Sequence, residues 1–348
     1  MTENLSDSDL LEARGESRPL DAFVVAAAFE RAGRFCAFAL GDGSLRIANA
    51  AAPGEWRTLE VHRGAVLALA PHALPGAFLT GGDDGAFRAV EAEGEPRDIA
   101  RFGSRWVEHV ASHAGEKGSG LLAATAGRAV HLFDAAGNRL KTLEHPSTAT
   151  GIAFDRKGKR IGVSHYNGAS LWFVTAKTDT PRTLEWKGSH IGIAIHPEGD
   201  AVVTAMQENA LHGWNLSDGK HMRMSGYPGK TESLSFSRRG KWLATSGAEA
   251  IVVWPFFGDG PMGKPPLELA AIDRASSTRV ACHPEHDVIA GGYSDGQVVV
   301  VDIDSARVLP VAAAGRGAVS ALAWSPDGAR LAFGTEEGFA AIVDLSRR

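Results

Sequence analysis

A repeated turn constrains the fold of this chain more than any other sequence feature. Each copy is marked by the residue before a short apolar run, and these residues are Gly43, Gly85, Arg128, Gly168, Asn209, Glu249, Gly296 and Gly338. Neighbouring copies lie 40 to 47 residues apart. Glycine and asparagine tolerate the positive φ of a tight turn. A self-similar period near 40 residues, with four short strands in each unit, is typical of propeller blades.

The last copy shows the pattern most clearly, because residues 318–345 read AVSALAWSPDGARLAFGTEEGFAAIVDL. Three runs, 319–324, 330–333 and 339–343, alternate apolar with small or polar residues, which is the period of half-buried strands. Proline and glycine turns separate the runs. The unit is therefore an antiparallel meander, which needs neighbours to bury both faces.

The blocks AWSPDGARLAFGTEEG and AIHPEGDAVVTA resemble WD40 repeats, and the resemblance covers about residues 20 to 345. The Trp-Asp pair of that family is not intact, since its places hold pairs such as Phe133-Asp134 and Trp214-Asn215. Repeat five comes nearest to the internal polar network of the family, with His190, Thr204, Glu208 and Trp214. We therefore expect apolar packing to hold most blades.

The predicted fold is all-β, a single eight-bladed β-propeller of four-stranded antiparallel blades. The predicted repeats span about 21–61, 62–102, 103–144, 145–187, 188–227, 228–273, 274–314 and 315–348. The last repeat ends too early for a fourth strand, so residues 10–20 are expected to supply it and to close the ring. For residues 1–9, a disordered acidic tail is one of two open interpretations.

Charge and cysteine content limit the class of protein. A net charge of −5 offers no general footprint for a polyphosphate, which argues against a nucleic-acid partner. No signal sequence or long apolar run is present, so we expect a cytoplasmic protein with no membrane contact. Cys36 and Cys282 belong to repeats that are not adjacent, which predicts free, buried thiols rather than a disulfide.

No catalytic motif with supporting context occurs, neither a nucleophile elbow, a P-loop, HExxH nor CxxC. The inner strands are almost wholly apolar or small, so we predict a protein that is not an enzyme and needs no cofactor. Histidine is the one enriched reactive type, with 13 copies. His145, His165 and His190 are expected on loops of one face, where neutral imidazoles are able to bind Zn²⁺ or another soft cation. No close pair of ligands supports such a site, and no metal is predicted.

Other histidines fall at equivalent places in the repeats. His113, His196 and His283 begin the first hairpin turn, where we expect a turn role. His131 and His212 share a place in third strands and are expected to pack between blades.

The stronger functional signal lies in the loops that join one repeat to the next. By resemblance, these loops share one rim with the turns between second and third strands, and that rim is the usual partner surface of the family. Aromatic residues and arginine anchor protein interfaces. The candidate partner-binding residues are Arg105, Trp106, His165, Tyr166, Trp186, His190, Tyr227, Lys230, Arg274, Arg279 and Arg316. The alternative for Trp106 and Trp186 is that both pack inward.

The longest insertion, 255–266, reads PFFGDGPMGKPP and lies in repeat six. Phe256 and Phe257 either fold back on the blade edge or form a secondary docking loop.

We therefore predict a non-enzymatic scaffold that binds a partner protein or peptide on the rim. Two alternatives stay open. One is a ligand-binding, metal-binding or hydrolytic propeller that acts at the mouth of the central channel. The other is a structural subunit of a larger complex. Fold alone does not decide among them.

Overall fold

The computed structural model describes residues 9–258 and 260–346. The described chain contains thirty β-strands, one short α-helix and one 3-10 turn at Glu116–Gly118. The helix is α1 (Leu10–Arg14), and the strands in chain order are β1 (Gly15–Pro19), β2 (Val24–Phe29), β3 (Phe35–Leu40), β4 (Ser44–Asn49), β5 (Ala52–Glu60), β6 (Val66–Pro71), β7 (Ala77–Gly82), β8 (Ala86–Glu91), β9 (Pro96–Arg101), β10 (Val110–His113), β11 (Leu121–Ala126), β12 (Ala129–Asp134), β13 (Arg139–Glu144), β14 (Gly151–Phe154), β15 (Arg160–Phe173), β16 (Arg182–Ile195), β17 (Ala201–Met206), β18 (Ala210–Asn215), β19 (His221–Met224), β20 (Leu234–Phe236), β21 (Trp242–Thr245), β22 (Ile251–Pro255), β23 (Leu267–Leu269), β24 (Ser277–Cys282), β25 (Val288–Tyr293), β26 (Val298–Asp302), β27 (Val308–Ala312), β28 (Val319–Trp324), β29 (Arg330–Thr335) and β30 (Phe339–Asp344).

The described strands form seven hydrogen-bonded sheets, six of four strands and one of six strands, β14 to β19. When each sheet is counted as one blade, the propeller has seven blades, and the prediction of eight separate four-stranded blades is wrong. Every ladder is antiparallel, and all but one of the sheets follow the chain order of their strands. The predicted repeat boundaries stay predictions.

The difference in blade count arises in the six-stranded sheet. There, the predicted loops near residues 167 and 188 lie inside the long strands β15 and β16. β15 reverses at Asn167 and Gly168, which have φ of 66° and 142°. Across that reversal His165 Nε2 lies 2.9 Å from Ser170 Oγ, so one continuous strand contains a hairpin. β16 then pairs with β15 up to Ser189 and with β17 from His190 onward. The chain thus passes from repeat four to repeat five without leaving the sheet.

The ring is closed by the N-terminal segment, as predicted. β1 pairs with β30 from Gly15 opposite Val343 to Pro19 opposite Phe339. α1 precedes this strand. The Asp9 carboxylate caps the N-terminus of α1 by accepting the Glu12 N–H at 3.0 Å. The two ends of the chain therefore share one sheet, and closure removes an open edge. The predicted tail, residues 1–9, lies outside the described residues except for Asp9.

Small residues let neighbouring sheets approach closely. A Cβ placed on Gly334 would lie 2.3 Å from Val24 Cγ1, and one on Gly291 would lie 2.5 Å from Ile251 Cδ1. Phe38, Ala332 and Ile342 belong to one buried cluster that spans the joint between the first and last sheets. Interiors this dense do not accept an added methyl group without displacement.

Buried polar networks are more frequent than we expected. The His62 imidazole lies 2.8 Å from Asp84 Oδ1 and 2.9 Å from Thr80 Oγ1. Because a carboxylate only accepts, Nδ1 carries the proton and Nε2 accepts from the threonine. Burial lowers the pKa of His62 and Asp84 raises it less, so the neutral ring is favoured.

Candidate interaction surface

The repeat-joining loops and the turns between second and third strands lie on one rim, which confirms that part of the prediction. In sheet after sheet a backbone N–H of the turn donates to a carbonyl of the preceding joining loop. These bonds join Gly41 to Phe23, Asp83 to Ala65, Gln207 to Ser189, Ser294 to Ser276 and Glu336 to Ala318. The rim is therefore a continuous, hydrogen-bonded surface rather than a set of independent loops.

Three large aromatic side chains stand exposed on one part of this rim. Trp106 is 56% exposed, Tyr166 is 55% exposed and Trp186 is 37% exposed. With the adjacent cations Arg105 and Lys187, they form what we call the aromatic arc. The inward packing considered for Trp106 is wrong, and Trp186 is packed on one face only.

Backbone contacts connect the members of the arc. Gly127 lies against the Arg105 side chain, and its carbonyl accepts the N–H of Ala149. Two residues earlier, Ser147 Oγ accepts the N–H of Tyr166 at 2.9 Å. Tyr166 in turn pairs with Ser189, just beyond Lys187. The arc therefore combines one joining loop, which holds Trp106, with the reversal in β15 at Tyr166 and the part of β16 at Trp186.

Tyr166 and Trp186 border an open groove with a volume of about 760 Å³. Its other walls come from Pro146, Thr183, Glu185 and Lys187. Aromatic faces supply apolar contact area, while the flanking carboxylate and ammonium groups supply polar contacts. Such a groove suits a short extended chain better than a compact ligand.

Trp186 is held from below by two histidines. Its ring stacks on His212 with centroids 3.9 Å apart and planes at 15°. His212 Nε2 lies 2.8 Å from His221 Nδ1. Burial first, and then the charge of His221, lowers the pKa of His212 to about 3. The stacking partner is therefore a neutral imidazole at physiological pH.

His165 and His190 position the arc and do not contact solvent. His165 Nδ1 lies 2.9 Å from the Tyr166 carbonyl oxygen, and His190 Nε2 lies 2.9 Å from the Trp186 carbonyl oxygen. A carbonyl only accepts, so each of these nitrogens donates. Both rings are buried. Sequence position placed them on the rim, but they support its backbone from beneath.

Tyr227 is buried, so its prediction as a surface anchor is not supported by its position. Its hydroxyl lies 2.6 Å from Thr245 Oγ1 and accepts the Trp254 Nε1–H at 2.6 Å. Burial raises the pKa of the phenol to about 12. Tyr227 thus takes the structural place that His62 and His190 take in other repeats.

The predicted rim cations do not form one patch. Arg279 donates from Nε to the Ser320 carbonyl and from Nη1 to Glu232, which joins three repeats near the channel. Lys230 lies 3.6 Å from the same Glu232 carboxylate. These two cations share one carboxylate of the same surface.

Two further cations lie farther around the rim. Arg274 is fully exposed, has φ of 62° and lies 3.5 Å from Asp273. Arg316 donates to the Ala313 carbonyl and lies over the Phe339 ring at 5.3 Å. Neither is brought near the aromatic arc by the contacts of the described residues.

The two phenylalanines in the insertion of repeat six differ in their exposure to solvent. Phe256 is buried and meets Phe236 edge-on at 5.0 Å. Phe257 is half-exposed, meets Trp242 edge-on at 5.5 Å, and carries the Lys264 ammonium 4.7 Å from its centroid. The insertion joins β22 to β23, at the rim opposite the aromatic arc.

The remaining histidines join neighbouring repeats. His113, His196 and His283 each place Nε2 near a turn carbonyl of the next repeat, on Arg156, Gly240 and Gly328, at 3.0 to 3.2 Å. His131 stacks on Phe102 with centroids 4.4 Å apart, as expected for a packed residue. The recurrence of histidine at this turn is the sequence signal for the contact between repeats, whereas the sequence analysis predicts a turn role alone.

No group of three His, Cys, Asp or Glu side chains suited to a metal ion occurs among residues 9–258 and 260–346. Both cysteines are free thiols, and that of Cys36 is buried. Within the same described residues, no helix is long and apolar enough to cross a membrane.

Comparisons with known proteins agree with this architecture. The sequence profile of the family described as anaphase-promoting complex subunit 4 WD40 domain matches residues 280–348. The crystal structure of the computationally designed Ika8 protein superposes with a TM-score of 0.75 at 16% identity, over 94% of this chain and 98% of that one. The chain is a β-propeller whose C-terminal part is similar to a WD40 domain. At that identity, the structural match shows the fold alone.

Two curated relatives of this chain are longer proteins. Autophagy-related protein 16 of Arabidopsis thaliana is 21% identical over 295 residues, which are 81% of this chain and 56% of the relative. Telomerase protein component 1 of Mus musculus is 24% identical over 200 residues, which are 56% of this chain and 7% of the relative. The chain thus spans about half of one relative and a small part of the other.

Proposed function

We propose that this propeller is a non-enzymatic interaction platform that binds an extended segment of a partner protein on the aromatic arc. The observation that carries the proposal is the exposure of Trp106, Tyr166 and Trp186 on one rim of the propeller. Large aromatic rings left in water on a rigid surface mark interaction sites.

The support beneath the arc favours binding over chance exposure. The His212 ring fixes the inner face of Trp186, and His190 fixes its carbonyl. An anchor that is already ordered loses little conformational entropy when a partner covers it. Central aromatic anchors of this kind are worth about 2 kcal/mol or more on truncation.

The groups beneath the arc are poorly suited to acid–base catalysis. His165 and His190 each donate a hydrogen bond to a backbone carbonyl, and their other nitrogens meet the hydroxyls of Ser170 and Thr204. A general base needs a lone pair within reach of the substrate. We therefore favour a binding role over the channel-mouth alternative.

A display selection tests the proposal. A random library of peptides of about twelve residues, long enough to cross the groove when extended, is selected on the wild-type protein. Retained clones are then measured against Tyr166→Ala and Trp186→Ala. The matched control is Phe173→Ala, an equally exposed aromatic at the opposite end of the hairpin in β15.

We expect clones whose binding is lost in both arc variants and unchanged in the control. If every clone binds the arc variants as it binds the wild type, the arc is not the binding surface. Thermal-shift measurements with divalent cations address the channel-mouth alternative, because a stoichiometric metal would favour it. Mass measurement of the native protein in lysate addresses the structural-subunit alternative.

A further inference from the structure

The outermost strand β27 differs from the other outer strands of the described sheets. Its sequence, Val-Leu-Pro-Val-Ala, contains no charged residue. The outer strands β1, β5, β9, β13, β19 and β23 and the outer part of β16 each contain at least one charged or histidine side chain. Charged side chains on edge strands protect them from association. Val308 and Leu309 of β27 are instead 45% and 47% exposed.

A segment of the chain already covers the other end of this strand. The Asp9 carboxylate accepts the Ala313 N–H at 2.7 Å, and Leu11 of α1 is buried in one cluster with Val311 and Ala312. A short segment with an aliphatic side chain therefore suits this edge. α1 stops short of Val308 and Leu309, which stay uncovered.

The uncovered end forms the wall of a groove between the β24–β27 sheet and the last sheet. The groove has a volume of about 500 Å³. Its apolar lining comes from Val288, Val300, Leu309, Trp324 and Leu345. Val300 pairs with Leu309, so both side chains lie on one face of the sheet. The apolar surface is continuous with the cluster that α1 covers.

Carboxylates outnumber cations when this groove is taken together with the cavity that adjoins it. The groove itself is lined by Asp302 and Arg307. The adjoining cavity, which shares His283, Val288 and Asp302 with the groove, adds the acidic residues Glu285, Asp287, Asp304 and Asp327 and the basic residues Arg238 and Arg239. Arg238 is already bound to Glu285 at 3.1 Å, and Asp304 lies 3.6 Å from Lys241.

Two of the carboxylates are held ionised by their own turns. The Ser305 hydroxyl and N–H lower the pKa of Asp302, and the Ser325 hydroxyl, first among several causes, lowers the pKa of Asp327. Arg307 near Asp302 and Arg330 near Asp327 lower the same pKa values further. Both carboxylates therefore stay negatively charged beside the groove.

We propose that this groove is a second docking site, which binds a short aliphatic segment of a partner protein that also carries lysine or arginine. An aliphatic side chain of the segment covers Leu309, which shares the face of Val300, as Leu11 covers the adjacent end of the strand. The basic side chains meet Asp287, Asp302 and Asp327. The occupant is a protein segment of opposite charge to the groove border.

The test is a peptide-display selection on the full chain with Tyr166→Ala and Trp186→Ala in place, so that the aromatic arc does not contribute. Retained clones are then measured against the same protein with Leu309→Ser added. The matched control adds Leu140→Ser instead, a similarly exposed leucine on the outer strand β13. Because the arc is disabled throughout, failure here and failure of the proposed function are distinguishable.

We expect clones that lose roughly tenfold or more in affinity with Leu309→Ser, keep it with Leu140→Ser, and are enriched in Lys and Arg beside Leu, Ile or Val. The change Asp287→Asn should weaken these clones at low salt, whereas the exposed Asp21→Asn should not. Absence of Leu309-dependent clones, or dependent clones without basic residues, would overturn the proposal. So would a dimer in sedimentation that disappears with Leu309→Ser, since the occupant would then be a second copy.

Discussion

Removal of one buried hydroxyl, in Tyr227→Phe, tests whether a tyrosine holds repeat six together as histidine does in repeats two and five. The hydroxyl lies within a hydrogen-bonded series. Trp254 Nε1–H donates to Tyr227, the tyrosine donates to Thr245 Oγ1, and Thr245 donates to the Val252 carbonyl at 3.0 Å. Thr245 is wholly buried and Trp254 nearly so.

Phenylalanine fills the same space but leaves the Trp254 N–H without an acceptor. An unsatisfied buried donor costs about 1–3 kcal/mol. We therefore expect the free energy of unfolding to fall by about 2 kcal/mol, with little change of shape. The measurement is equilibrium denaturation in urea, followed by tryptophan fluorescence and by circular dichroism.

The control for this prediction is Tyr166→Phe, because that ring is exposed and the change leaves no buried group unpaired. The double variant Tyr227→Phe with Trp254→Phe should cost less than the sum of the single changes, since the orphaned donor is then absent. A Tyr227→Phe protein within about 0.5 kcal/mol of the wild type would refute the reasoning.

Three further outcomes follow from the fold. Deletion of residues 1–19 removes β1 and Leu11, which leaves the edge of β30 without a partner strand. The truncated protein should therefore unfold at a lower urea concentration and self-associate through that edge. A peptide of residues 9–22 added in trans should reverse both effects. Lowering the pH from 6.5 to about 4 should destabilise the protein. Burial lowers the folded-state pKa to about 4 for four histidines, His72, His109, His131 and His145, whereas the unfolded chain takes up protons on them near pH 6.5. Urea midpoints that stay constant between these pH values would contradict the claim. Gly334→Ala should lower the free energy of unfolding by about 1–3 kcal/mol, because the added Cβ would overlap the Val24 side chain. Gly54→Ala is the control, since its added Cβ would have no neighbour nearer than 3.8 Å. Equal urea midpoints for the two variants would show that the sheets accept the methyl group.

Much of the architecture is encoded locally and could be predicted from the sequence. Alternation gave the strands of the last repeat within a residue or two, as in β28 and β30. The missing outer strand of that repeat pointed to residues 10–20, where β1 lies. Both inferences depend on period and chain length, which the sequence contains directly.

The sheet count could not be obtained in that way. Asn167-Gly168 and Lys187-Gly188 look like breaks between strands, yet each lies inside one strand, because β15 and β16 pair with each other on both sides of these positions. Whether a turn interrupts a ladder depends on register against the neighbouring strand, and one sequence does not contain that register.

Side-chain direction limited the prediction of the site. Trp106 and Tyr166 were assigned to the rim and are exposed, but His190 and Tyr227, assigned by the same argument, point inward. One signal was available. Thr204 and Thr245 occupy equivalent positions in the second strands of their repeats. Thr204 forms a hydrogen bond with His190, and Thr245 forms one with Tyr227.

The aromatic arc is the centre of this account, and one dissociation constant tests it most directly. The tightest peptide selected on the wild-type protein is titrated by fluorescence anisotropy against wild type, Trp186→Ala and Phe173→Ala. Loss of about 2 kcal/mol corresponds to a roughly thirtyfold weaker complex. We predict that loss for Trp186→Ala and unchanged affinity for Phe173→Ala. Equal affinities for all three proteins would contradict the assignment of the binding surface.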